Sequence, residues 1–393
     1  MNSTPPSRTY WLCLACLAIP LLVSVAFVCM ETSGRNNASN ISAHLSERGF
    51  LQEKKPPLQL SWMNASSGPF VRPISTCGSS KQYEGKLVFV HVLKTAGTTL
   101  RAFFADYARK CKVGWAEMQC SAPDVNSIGI GMGEWRSRKK RNPCLLKRFV
   151  PRSGKFSWHT HMHTINNTFV EENADIIGGH IPLGTGNVWT KVKDETRDGK
   201  LKNVNYITFF RNAATKYVSG EAFWKPEKTL SDLVAETKAK VQKEVSLEHY
   251  HTKYSTYLIT PSQREEMESR GHRLSIEDQA LTIMLNLIRH DVTVGITERL
   301  PQSLELLQRL IDSSGNVTDL FVRYGMRSGS SRMGSSSSTQ INPSKISSST
   351  VLKELKKDAA FMTDLLECVK YEQQMSDFAL ALHSRQYANL EIN

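Results

Sequence analysis

KLVFVHVLKTAGTTLRAFFA, from Lys86 to Ala105, reads as a strand, a tight loop and a helix in direct succession. Lys86 to Val92 is a β-branched and aromatic run, Leu93 to Thr99 carries the glycine and hydroxyl residues of a turn, and Leu100 to Ala105 has a helical pattern. A second unit of the same kind follows: the run Val204 to Phe210 (VNYITFF), the turn Arg211-Asn212-Ala213-Ala214, and a helical stretch from Thr215 to Trp224. Between them Asp175 to His180 (DIIGGH) reads as a third strand entering a glycine turn, and Val292 to Ile296 (VTVGI) reads as a fourth. Repeated strand-to-helix units predict an α/β fold, a parallel β-sheet flanked by helices, with the loops at the strand ends facing one crevice. Further helices are predicted over Leu230 to Glu244, Ile276 to Arg289, Pro301 to Ile311 and Ser349 to Leu382.

The loop between the first strand and its helix has the composition of a phosphate site. Backbone amides at the helix start, the hydroxyls of Thr95, Thr98 and Thr99 and the Lys94 ammonium are predicted to converge there, while Gly97 lets the backbone come close. This is P-loop-like in geometry, but GxxxxGK[ST] is absent because the lysine precedes the glycine, so an ordinary ATP or GTP loop is not written here.

His91-Val92-Leu93-Lys94-Thr95-Ala96-Gly97-Thr98-Thr99 closely resembles the 5′-phosphosulfate loop of the membrane-bound Golgi carbohydrate sulfotransferases, where a proline usually stands in place of Leu93. Phe210-Arg211-Asn212-Ala213-Ala214-Thr215-Lys216-Tyr217-Val218-Ser219 resembles that family's 3′-phosphate segment, with an arginine after a strand and a serine eight residues later. The family commonly has proline where Ala213 stands and a second arginine where Lys216 stands. Val294 to Leu300 with Ser303 to Leu307, and Asn342, Ser344 and Tyr371, are fainter echoes of its later segments. The resemblance, closest to uronyl 2-O- and galactose 3-O-sulfotransferases, implies a sulfotransferase-type nucleotide-binding domain that uses 3′-phosphoadenosine 5′-phosphosulfate (PAPS). It implies cofactor contacts at Lys94, Thr95, Ala96, Gly97, Thr98, Thr99, Arg211 and Ser219. A guanidinium is a planar, permanently charged fork for phosphate, which suits Arg211 to the task.

Sulfuryl transfer needs a cation for the leaving phosphate and a base for the attacking hydroxyl. Lys94 supplies the cation, and His180 in Gly178-Gly179-His180 is the expected base, as in similar family members. No metal is expected. His159, His161 and His163 alternate, so on a strand they would share one face, as metal ligands or acceptor contacts might be arranged; an acceptor-cleft or surface role is preferred. The basic cluster Arg136, Arg138, Lys139, Lys140, Arg141, Lys147 and Arg148 suits either an acidic glycan or a solvated loop open to proteolysis. The acceptor is expected to be a carbohydrate, and both uronic-acid and galactose acceptors fit the motifs.

Over the whole chain, 50 Lys and Arg against 37 Asp and Glu give a net charge of +13, which points to anionic partners. Tyr10 to Met30 runs without a charge for the ~20 residues that a membrane-spanning helix needs. With sequons at Asn37, Asn40, Asn64, Asn166 and Asn316 beyond it, the expected topology is single-pass type II in the Golgi membrane. The expected order is a cytosolic tail at 1–9, a bilayer anchor at 10–30, a lumenal stem at 31–85 and a catalytic domain at 86–393. Met326 to Ser349 is low in complexity and is read as a loop. Five cysteines follow the anchor, Cys77, Cys111, Cys120, Cys144 and Cys368; an odd number leaves one unpaired or paired between chains, so a homo-oligomer stays open. Two other classes compete: a lumenal glycan kinase, which should show metal-binding carboxylates near the loop, and an inactive sulfotransferase-like glycan-binding protein. A nucleic-acid partner conflicts with the anchor and the sequons.

Overall fold

The computed structural model describes residues 77, 86–120, 144–153, 163–164, 167–184, 204–247, 253–269, 274–312, 314–326 and 346–392. Contacts divide the chain into Met1–Gly68 and Pro69–Asn393, and every described residue belongs to the second unit. The expected anchor and stem up to residue 68, His159 and His161, the basic cluster from Arg136 to Arg141, Asn342 and Ser344 all lie outside the described residues. Among the described residues no helix is long and apolar enough to cross a membrane.

Each residue of β1 (Lys86–Val90) is buried, as a central strand covered on both faces must be. It is followed by α1 (Gly97–Cys111), β2 (Trp115–Cys120), β3 (Cys144–Val150), the two-residue β4 (His163–Thr164), α2 (Asn167–Asn173), β5 (Ile176–His180) and β6 (Val204–Phe210). Then come α3 (Ala213–Trp224), α4 (Leu230–Leu247), α5 (Lys253–Leu258), α6 (Pro261–Ser269), α7 (Ile276–Arg289) and β7 (Thr293–Ile296). The chain closes with α8 (Leu300–Ile311), α9 (Thr318–Met326), α10 (Ser348–Leu355), α11 (Ala359–Cys368) and α12 (Lys370–Ile392). The strands form one seven-stranded sheet in the order β4-β3-β2-β5-β1-β6-β7. The pairs β2–β5, β5–β1, β1–β6 and β6–β7 are parallel, and β2–β3 and β3–β4 add an antiparallel edge. The fold is therefore α/β, a mostly parallel sheet flanked by helices.

Alternation along the strands decides what each face meets. Leu87 and Phe89 of β1 and Ile207 and Phe209 of β6 share a core with Leu100, Phe103 and Phe104 of α1 and Leu304, Leu307 and Leu310 of α8. Phe210 faces the other way and stacks on Tyr254 of α5 with ring centroids 4.5 Å apart. The exposed edge of β7 is covered by α12: Gln386 accepts from Val294 N and donates to Val292 O, so the ladder groups that would otherwise be open are satisfied.

Two expectations need correction. The helix predicted across Ser349 to Leu382 is three helices, because Asp358 accepts from Phe361 N and starts α11, and a buried turn at Val369 separates α11 from α12. The low-complexity stretch is helical at both ends, where Met326 closes α9 and Ser347 caps α10 through Thr350 N. Strands β2, β3 and β4 were not foreseen, since Glu117 in β2 and Lys147 and Arg148 in β3 interrupt the apolar pattern. Lys147 and Arg148 thus lie on a strand and not in a solvated loop.

Candidate functional site

Because β1 lies between β5 and β6, the residue ending β5 and the residue following β6 flank the loop that leaves β1. These are His180 and Arg211. The loop turns tightly: Lys94 (φ 68) and Ala96 (φ 60) both take left-handed backbone conformations. Ala96 caps α1 without a side-chain hydrogen bond, and the first turn of the helix holds no acidic residue. The positive end of the helix dipole at Gly97, Thr98 and Thr99 is therefore not neutralised by its own side chains. Thr98 is exposed and Thr99 half-buried.

Two loop residues serve purposes the sequence did not suggest. Thr95 is fully buried, and its hydroxyl donates to Val92 O at 2.9 Å, so it serves the turn itself. A Cβ on Gly97 would fall 1.6 Å from Nε2 of His91, so the space the glycine leaves is filled by an imidazole. His91 is itself buried, its Nδ1 has no hydrogen-bond partner among the described residues, and burial followed by the nearby His180 pushes its pKa well below the ordinary value.

Lys94 and Arg211 meet. The Arg211 guanidinium donates to Lys94 O at 3.4 Å and to Ser348 Oγ at 3.4 Å, while its backbone N–H donates to Tyr254 OH. Among the described residues its Nε is buried without a hydrogen-bond partner, 4.0 Å from the Glu298 carboxylate. Burial lowers the Arg211 pKa, against the pull of Glu298. The Lys94 ammonium sits 3.1 Å from the Phe223 ring centroid, and burial together with Arg211 lowers its pKa to about 7. Ser219 is half-exposed on α3, four residues before Phe223 and so on the same face of that helix. Asn212 caps α3 by accepting from Thr215 N. Lys216 is buried against Glu372 of α12 at 2.6 Å.

His180 packs on the other side of the loop. Its ring stacks on His91 with centroids 4.4 Å apart and lies 5.5 Å from that of Tyr257. Its Nδ1 is 3.1 Å from His91 O, the geometry of an N–H donated to a carbonyl, which leaves Nε2 as the acceptor nitrogen. Burial, then the positive charge of Arg101, lowers the His180 pKa to about 4, and the His91 hydrogen bond opposes this. Arg101 of α1 is held by Glu117 of β2 at 2.6 Å, and Arg148 of β3 approaches the same carboxylate at 3.3 Å. Sequence reading missed His91, Arg101, Glu117, Phe223 and Ser348. Only His91 carried a signal, as part of the loop motif; the rest depend on contacts between distant segments.

Of the remaining candidates, His163 lies in β4 and Tyr371 donates to Glu277, near the start of α7. Among the described residues no three His, Cys, Asp or Glu side chains gather as metal ligands would. The arrangement offers an uncapped helix start, two cations side by side and a neutral imidazole, all at the carboxyl ends of adjacent parallel strands. No protein-family model matches the chain, and no curated protein matches it.

Proposed function

We propose that this chain is a PAPS-dependent carbohydrate O-sulfotransferase, anchored in the Golgi membrane by residues 10–30, with its catalytic domain in the lumen. The observation that carries the reading is the meeting of Lys94 with Arg211: two motifs 117 residues apart, each resembling a PAPS-binding segment, lie together at the ends of adjacent parallel strands. The site fits such a co-substrate, since among the described residues Arg211 Nε is buried without a hydrogen-bond partner, and α1 has no side-chain cap or acidic first turn.

In this reading the amides of Gly97, Thr98 and Thr99 and the Lys94 ammonium hold the 5′-phosphosulfate, and Arg211 and Ser219 hold the 3′-phosphate. His180 Nε2 takes the proton of the attacking sugar hydroxyl. The sugar oxygen bonds to sulfur as the bond from sulfur to the bridging phosphate oxygen breaks, and Lys94 stabilises the negative charge left on that oxygen. Arg101 and Lys147 make the surroundings of His180 positive, which suits an acidic acceptor.

The test is transfer of labelled sulfate from PAPS to a panel of desulfated and uronic-acid-containing glycans. Lys94→Ala and His180→Ala are each expected to lower transfer about 10²-fold or more. Unchanged transfer in either variant, or nucleotide binding without transfer to any glycan, would count against the assignment.

A further inference from the structure

The antiparallel ladder between β2 and β3 contains a register shift. Glu117 pairs with Arg148, but the next residue, Met118, pairs with Leu146, so Lys147 is an extra residue on the β3 side. Without that bulge Cys120 would stand opposite Leu145; with it, Gln119 pairs with Leu145 and Cys120 with Cys144. Directly opposed residues of an antiparallel pair have Cα atoms about 4.5–5.5 Å apart. A disulfide spans about 4.4–6.8 Å, so either type of opposed pair accepts one.

The remaining cysteines do not compete. Cys77 is joined to Cys111, and the Cys368 thiol lies 3.6 Å from Glu244 on the border of α11, within the core shared by α3, α4, α10 and α11. Cys13, Cys16 and Cys29 fall in the apolar run of the expected anchor.

We propose that Cys120 and Cys144 are joined by a disulfide that closes the end of the β2–β3 ladder. The bond forms by exchange with a disulfide-bearing oxidant, either an oxidoreductase or oxidised glutathione. One cysteine thiolate attacks the donor disulfide and expels one donor thiolate; the second attacks the mixed disulfide and expels the other. Two electrons pass to the donor; the two cysteine protons go to solvent, and the two expelled donor thiolates take up two protons from it to become thiols. The bridge makes residues 121–143 part of a covalently closed ring. A backbone cut in its basic run, Arg136 to Arg141, then leaves β2 and β3 attached to each other. It also fixes the hairpin on which Glu117 stands opposite Arg148. The proposal does not depend on the sulfotransferase reading.

The experiment uses the full chain made in a secretory host, denatured without reductant, treated with N-ethylmaleimide, digested and mapped by mass spectrometry. The expected result is that Cys120 and Cys144 are recovered joined to each other and unlabelled, with Cys77 joined to Cys111 and Cys368 labelled. In Cys120→Ser, Cys144 should change from unlabelled to labelled; since labelling is done on denatured chains, this does not require the variant to be as stable as the parent. Labelled Cys120 and Cys144 in the parent chain would overturn the proposal, whether or not Cys77 and Cys111 are joined. So would either cysteine recovered joined to a different cysteine or to a second copy of the chain.

Discussion

At Lys94 and His180 the protonation states run against habit, and the cause is burial. Lys94, lowered to about 7, is on the edge of losing the charge that the proposed reaction requires of it. His180, lowered to about 4, is neutral over the whole physiological range and free to accept a proton. The sign of each effect follows. Below the His180 pKa the imidazolium cannot take the hydroxyl proton, and above the Lys94 pKa the neutral amine cannot stabilise the leaving phosphate. For the proposed reaction, kcat/KM should therefore be bell-shaped, with an acid limb near pH 4 and an alkaline limb near pH 7, measured over a pH series at low substrate. An acid limb at the ordinary histidine value of ~6.5 would show that His180 is not the base or is not held in this environment. The Gly-His segment was legible in the sequence as a candidate base. The depression of its pKa was not, because it comes from burial under neighbouring elements and then from Arg101.

At the level of elements, α3 and α12 are joined by a charge pair out of reach of water. Lys216 and Glu372 have 5 % and 0 % of their side chains exposed, and the Lys216 ammonium lies 4.5 Å from the Tyr254 ring centroid. Removing one partner of such a pair strands a buried charge, at a cost of about 3–5 kcal/mol, whereas replacing both with apolar residues of similar volume is often close to neutral. Lys216→Met alone should shift the denaturant midpoint strongly downward, and Lys216→Met with Glu372→Leu should recover most of the loss. Equal midpoints for the single and double variants would show that the pair is not acting as a buried unit. Sequence reading fared unevenly with the elements themselves. β6 and α7 have the bounds their periodicity predicts, and β1 is two residues shorter, whereas β2 and β3 were missed. A strand whose charged residues are satisfied by distant partners, as Glu117 is by Arg101, carries no clean alternation to read.

For the molecule as a whole, the Cys77–Cys111 bridge ties residue 77 to the end of α1 and closes 34 residues of chain. Asn316 Nδ2 also donates to Cys77 O at 2.9 Å, so the same point is held from the α8–α9 turn. Cys77→Ser should lower unfolding stability by about 2–4 kcal/mol, read from denaturant melts of parent and variant under non-reducing conditions. Indistinguishable melts would mean that the bridge constrains little of the unfolded chain. What the sequence determined by itself was whatever is encoded at short range: the short β-branched and aromatic runs that make β1, β5, β6 and β7, the strand–turn–helix succession that makes the sheet mostly parallel, and the residue types of the phosphate-like loop. What only the tertiary structure decided was which distant groups meet: His91 in the space left by Gly97, Arg211 on the backbone of Lys94, Glu117 between Arg101 and Arg148, and the bulge that sets Cys120 opposite Cys144. The physical reason is that periodicity and turn chemistry act between neighbours along the chain, whereas burial, charge pairing and strand register are settled between segments that only folding brings together.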